Sequence, residues 1–167
     1  AELAAAIVEA IIPSARGNNA TVEPPLTSDL DAYDLYLAAR TQLNLRTPES
    51  IDKSVELGEQ AVRLDPNFAR GQAQLAAALL FQRLYAGERS PDQPHVLGNP
   101  TGGRDPAELL RRAESAIHAA LARDPELSEA HGVYANLLRD TGRPGAEEQY
   151  ARALELNPNN AVAWHDY

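Results

Sequence analysis

Read outward from its prolines, the chain places small and large apolar residues at helical spacing. Ala113, Ile117 and Ala120 precede Pro125, and Ala146, Tyr150 and Ala153 precede Pro158. Steps of four and three put each trio on one helix face. A second helix follows each proline: Gln72, Leu75, Ala76 and Leu79 after Pro66, His131, Tyr134, Ala135 and Leu138 after Pro125, and Trp164 and Tyr167 after Pro158. The prolines stand in one phrase, with alanine five residues before and Asp or Asn immediately before: Ala61 to Pro66, Ala120 to Pro125, Ala153 to Pro158. Proline cannot continue the earlier helix and disfavours helical backbone in the residue before it, yet it fits the first turn of a new helix. Asp65, Asp124 and Asn157 are therefore expected as N-caps.

Further boundaries have their own signals. Ser28 is expected to open a helix over about Leu30 to Leu45, and Thr47-Pro48-Glu49 to open the next. Asp105-Pro106-Ala107-Glu108 reads as a capping-box variant led by aspartate. Residues 1–12 put Leu3, Ile7 and Ile11 on one face of an amphipathic helix, and residues 13–28 form a polar linker. Gly87 to Arg104, eighteen residues holding three prolines, reads as a loop inserted between two helices.

These segments resemble the tetratricopeptide repeat, a helix–turn–helix unit of small and large positions closed by proline. The resemblance covers roughly 29–167 and is tightest over 106–167. Pro125 and Pro158 stand 33 residues apart, one short of the usual period, and the missing residue falls in the turn Thr141 to Gly145. The first copy departs from the pattern, with Gly58 where a large residue belongs between Ser54 and Ala61. The resemblance implies an all-α fold: a right-handed α-solenoid of antiparallel helix pairs, with an extra N-terminal helix and one inserted loop. The pairs fall at about 29–66, 67–125 (carrying the insertion) and 126–158, with a partial first helix at 159–167. The phrases Asp31 to Leu37, Arg46 to Ser50 and Leu64 to Phe68 are similar to repeat regions of bacterial signalling proteins, namely CadC-type winged-helix regulators and class III adenylate cyclases. In those proteins a TolB-like domain often precedes the repeats and ends in a short helix much like Glu2 to Ile12. The resemblance implies the sensory or protein-binding part of a longer protein.

Composition narrows the function. Hydrophobic residues make up 44%, but large aromatics number only two Phe, six Tyr and one Trp, so much of the apolar content is alanine suited to close helix packing. A net charge of −9 argues against nucleic acid as the partner. The absence of cysteine excludes disulfides and thiolate sites and fits bacterial cytoplasm and periplasm equally. No apolar run approaches the ~20 residues of a membrane span, so no membrane insertion is expected. Leu3 to Ile12 lacks the basic start of a signal peptide.

Signals for chemistry are weak. Gly98 to Asp105 approximates a phosphate loop but has Arg104 and Asp105 where Lys and Ser or Thr belong, so a plain loop is the better reading. Glu114 and His118 stand one turn apart without a second pair, and no metal or cofactor is expected. His131 reads as a packed residue at a tryptophan position, and Tyr134, Tyr150 and Trp164 as packing aromatics. Phe81 and Tyr85 support either the inserted loop or a ligand. No serine occupies a nucleophile elbow, and the chain reads as no enzyme.

In such an array the first helix of each pair lines a concave groove. The candidate partner-binding residues are Arg70, Ala73, Ala77, Leu80 and Phe81, then Glu129, Gly132, Asn136, Arg139 and Asp140, then Val162 and His165. Arg70, Asn136 and Arg139 can hold a carboxylate or peptide backbone. The clamp that grips chaperone C-termini is mostly absent, because Ala73, Ala77 and Gly132 stand at three of its positions. The leading expectation is a scaffold module for a protein or peptide partner. The alternatives are a spacer or self-association unit, including a homodimer, and a small-molecule sensor with Gly87 to Arg104 as its lid.

Overall fold

The computed structural model describes residues 27–87 and 105–160. These form six helices and no strand, so the described chain is all-α: α1 (Leu30–Leu45), α2 (Pro48–Leu64), α3 (Ala69–Gly87), α4 (Pro106–Arg123), α5 (Ser128–Asp140) and α6 (Ala146–Leu156). The expected N-terminal helix, nearly all of the linker, the insertion beyond Gly87 and the last partial helix lie outside the described residues.

Capping chemistry sets the helix starts. Asp29, one residue past the expected Ser28, caps α1 by accepting from the Ala32 N–H at 2.9 Å. Thr47 caps α2 in a reciprocal box with Ser50: each side-chain oxygen accepts from the other residue's N–H, at 3.2 and 3.0 Å. Asp105 caps α4 through the Ala107 N–H. The expected partner Glu108 instead pairs with Arg111, one turn along the exposed surface, so that box does not close.

The proline phrases build one turn three times, and here the N-cap expectation is corrected. Asp65, Asp124 and Asn157 terminate the earlier helices. Each has extended backbone (φ −128°, −137° and −145°), as the following proline demands. Each side chain accepts from the N–H two residues on, at 2.9, 3.1 and 2.9 Å. Each carbonyl accepts from the third residue, and that residue is buried in every copy: Phe68, Leu127 and Asn160. In each copy one side-chain oxygen is spent on the turn, the second Asp65 oxygen accepts from the Thr27 hydroxyl, and the next helix starts too far on to be capped. Where Asn160 replaces an apolar anchor, its amide donates to the Ser128 hydroxyl at 2.8 Å, which in turn donates to the Ala153 carbonyl at 2.8 Å.

The α5–α6 turn differs. Gly142 takes φ +65°, its N–H donates to the Arg139 carbonyl, and Arg143 N–H donates back to Leu138. This paired arrangement satisfies carbonyls left open by the last turn of α5.

Each helix packs on its sequence neighbour. In addition α1 approaches α3 and α3 approaches α5, whereas no such backbone approach joins α2 to α4 or α4 to α6 among the described residues. The helices therefore form two layers, with the odd-numbered ones closer together. A small residue sits at the centre of each odd helix: Ala39, Ala76 and Ala135, all fully buried. Opposite Ala39, the buried Ser54 hydroxyl donates to its carbonyl at 2.8 Å. The core then fills with Ile51, Val55, Leu75, Leu79, Leu109, Ile117 and Leu137.

Gly58 fits this packing in spite of the large residue expected there. Its missing Cβ would lie 3.4 Å from Leu75 Cα, Cβ and Cδ1, so Leu75 occupies the space from the neighbouring helix. Gly58→Leu should therefore overpack the α2–α3 seam and lower stability by about 1–3 kcal/mol. Gly142→Ala should cost about 1–2 kcal/mol by forcing a side chain into left-handed backbone. Urea unfolding of the two variants checks both values, and a Gly58→Leu variant as stable as the parent would contradict the seam described.

Candidate partner-binding face

The three buried alanines supply a common register for the odd helices. One residue past them stand Arg40, Ala77 and Asn136; six before them stand Tyr33, Arg70 and Glu129. These positions share one side of α1, α3 and α5, from which Asn136 also reaches α6. The expected site residues on α3 and α5 fall on or beside it, but they are not equally available.

Ala73 is a correction. It is 2% exposed and packs with Ala120, Leu127 and Ala130. Leu80 and Gly132 are buried as well. These three are seam residues: Ala73 meets α4, the α4–α5 turn and α5, and Leu80 joins the main core cluster. Ala77 remains half-buried at the edge of the core. His165 and Val162 lie outside the described residues.

The polar candidates are each engaged by neighbours. The Arg70 guanidinium lies 3.7 Å from Glu129, which occupies the equivalent position on α5. Arg139 reaches the adjacent Asp140 at 3.2 Å, and its guanidinium carbon lies 6.0 Å from the Tyr150 ring centre. Asn136 Oδ1 accepts from the buried Tyr150 hydroxyl at 2.5 Å. Asn136 thus joins α5 to α6 as well as bordering the face.

Phe81 and Tyr85 lie beyond the repeat signature on the long α3, and both reach back to the α1–α2 turn. The Arg46 guanidinium sits 3.8 Å over the Phe81 ring, and the Tyr85 hydroxyl donates to the Arg46 carbonyl at 3.0 Å. Arg46 is the described non-glycine residue with positive φ, 56°. Beside this contact the buried Gln82 donates to Asp52 at 2.5 Å. The extra length of α3 is therefore anchored on the first hairpin.

Sequence reasoning overlooked α1 as part of this face. Tyr33 and Arg40 share the register, whereas Leu37, 40% exposed, stands in the register of Gln74 and the buried Val133. The repeat signature fits α1 only loosely, through Leu37, Ala38 and Thr41; the structure exposes those three and buries Ala39 instead, because α1 lacks the large signature residues that fix the register.

The described histidines, His118 and His131, behave as surface and packing groups. His131 lies 2.7 Å from Gln149 Oε1 and 3.0 Å from the Pro125 carbonyl, bridging α6 and the preceding turn. His118 stacks edge-on against Tyr134, with Glu114 at 3.9 Å. Glu114 in turn binds Arg143 at 2.7 Å, and that hydrogen bond raises the arginine above its ordinary pKa. Among the described residues no three His, Asp or Glu side chains gather as a metal site, and no helix is long and apolar enough to cross a membrane. A shallow hollow of ≈ 340 Å³ lies at Arg143 to Glu148, on the α5–α6 turn and away from the odd-helix face.

No family model matches this chain, and neither does any curated protein.

Tyr150→Phe should lower stability by about 1–3 kcal/mol, since it leaves the partly buried Asn136 oxygen without its donor. Thermal unfolding measures this. An unchanged midpoint would mean that water replaces the hydroxyl without cost.

Proposed function

We propose that this chain is a protein-interaction module of the tetratricopeptide type, serving a bacterial signalling or regulatory protein. Its odd-helix face would receive a peptide or protein partner, and the chain would carry out no bond chemistry. The observation that carries this reading is the pairing of one turn, repeated three times, with closer approach on the odd-numbered side. Regular repetition of a helix pair gives a superhelix, and the side on which helices approach is its inner side. Half-buried and exposed side chains with both polar and apolar character line that side, as a peptide groove requires.

The double variant Arg70→Glu, Arg139→Glu tests the assignment. Both side chains border the face; Arg70 Nε is buried and Arg139 lies near the Tyr150 ring, so Arg70→Gln, Arg139→Gln serves as the control for packing, and helicity by circular dichroism should stay at the parent level in both double variants. Binding of a native partner, measured by titration calorimetry, should fall at least tenfold. Covalent footprinting of the complex should protect α1, α3 and α5. Unchanged affinity, or protection confined to α2 and α4, would place the partner elsewhere.

A further inference from the structure

We propose that residues 1–12 of this chain cover the outer side of α1, docking antiparallel to it as an added helix that closes the first pair. Such a cap is independent of what the odd-helix face binds, so the two readings can fail separately.

The first ground is a difference between equivalent positions. Counted from the buried alanines, Leu37, Ala38, Thr41 and Leu45 on α1 are all exposed. Their counterparts on α3 and α5, Leu75, Ala78 and Leu137 among them, are without exception buried or half-buried. On α3 the preceding helix does the covering: Leu75 fills the space at Gly58 of α2, and Gln82 donates to Asp52 of α2 at 2.5 Å. The α2 residue number falls as the α3 number rises, so the covering helix runs antiparallel. The outer side of α1 has the form that α3 presents to α2.

The second ground is the distribution of apolar residues round α1. Ala32, Tyr36, Ala39 and Leu43 are buried on one side. Leu30, Leu37 and Leu45 lie on the other, 78%, 40% and 60% exposed. The enclosed α3 likewise carries apolar residues all round, whereas α2 and α4 confine theirs to one side. A helix apolar on both sides is suited to neighbours on both.

The third ground is pattern and reach, which single out the occupant. As a helix, residues 1–12 place Leu3, Ile7 and Ile11 on one face, with Glu2 and Glu9 on the opposite one. Twelve helical residues cover about 18 Å of the roughly 24 Å of α1. Residues 13–26 join the segment to Thr27, whose hydroxyl donates to Asp65 at 2.5 Å and so fixes where the chain enters α1. A linker of that length spans roughly 20 Å on average, enough for residue 12 to lie beside the start of α1. Antiparallel order then brings Arg16, the one basic residue of 1–26, toward the end of α1 that carries Asp31 and Asp34. The tether gives the segment an effective concentration on the order of millimolar, which favours it over a second copy of the chain at micromolar concentration.

The chain has no cysteine, so two introduced thiols report proximity without competition. In the full 167-residue chain, Leu3→Cys with Leu45→Cys should form an intramolecular disulfide at least tenfold faster than Leu3→Cys with Leu30→Cys. Loop closure alone gives the reverse order, because the second pair closes the shorter loop. By hydrogen exchange, residues 3–12 should be protected at least tenfold over the free peptide of the same sequence. Leu37→Asp, at an exposed position, should remove that protection while the amides of α2 to α6 keep theirs.

Exchange of residues 3–12 at the free-peptide rate overturns the proposal, and so does faster closure of the Leu3 and Leu30 pair. Protection untouched by Leu37→Asp places the segment elsewhere on the molecule and overturns it too. Disulfides that join two chains, with doubled mass in light scattering, would give this side of α1 to a second copy instead.

Discussion

Close approach of each helix pair at a small, fully buried residue is the constraint on which the rest of the structure depends. Ala39, Ala76 and Ala135 stand at that point on α1, α3 and α5. A larger side chain there would separate the pair and open the core on both sides, because interiors packed at crystal density absorb extra volume poorly. The same residues set the rotation of each odd helix. Once Ala39 faces Ser54 and its carbonyl takes the serine hydroxyl, Tyr33 and Arg40 have only one side to occupy. The candidate face is thus a consequence of the seam and needs no separate specification.

The turns carry this rotation from one pair to the next. Proline forces its predecessor into extended backbone, and a short acid or amide side chain then closes on the second N–H ahead. The third residue is driven inward as an anchor. That anchor role is strong enough to hold a polar residue: Asn160 is buried at the third copy because Ser128 supplies both an acceptor and a second link to Ala153. In this protein the conformation of the turn, rather than the hydrophobicity of the anchor, is the repeated feature.

Much of this was legible in the sequence for a physical reason. The spacing of four and three around Ala113, Ile117 and Ala120 admits few arrangements besides a helix with one buried face, and the prolines mark where helices must stop. The helix over Leu30 to Leu45 and the Thr47 cap follow from the same local rules. What local rules do not show is which of two neighbours a side chain will satisfy. Asp65 lies within reach of either helix and closes the turn instead of capping the next one. Ala73 has the spacing of a surface position on its own helix, and only the arrival of Ala120, Leu127 and Ala130 buries it. The candidate site was less legible still. Arg70, Asn136 and Arg139 stand where a groove needs them, but their partners Glu129 and Tyr150 come from other helices. Likewise no helical period links Phe81 to Arg46, and α1 lacks the large signature residues that would have marked its share of the face.

The two layers are held together differently, and this separates shape from recognition. Between odd helices the joints are mostly small or apolar buried residues, with the Arg70–Glu129 ion pair at their edge. Between even helices the links are ion pairs on the surface: Glu59 with Arg112, and Glu114 with Arg143 at the following turn. Surface pairs contribute about 0–1 kcal/mol each and weaken with salt, so they can tune the spacing of the outer layer without determining it. The geometry must then be set from the inner side, where alanine and leucine seams leave little freedom. The inner side is thus held by its own core, and the exposed side chains along it can change without disturbing a seam.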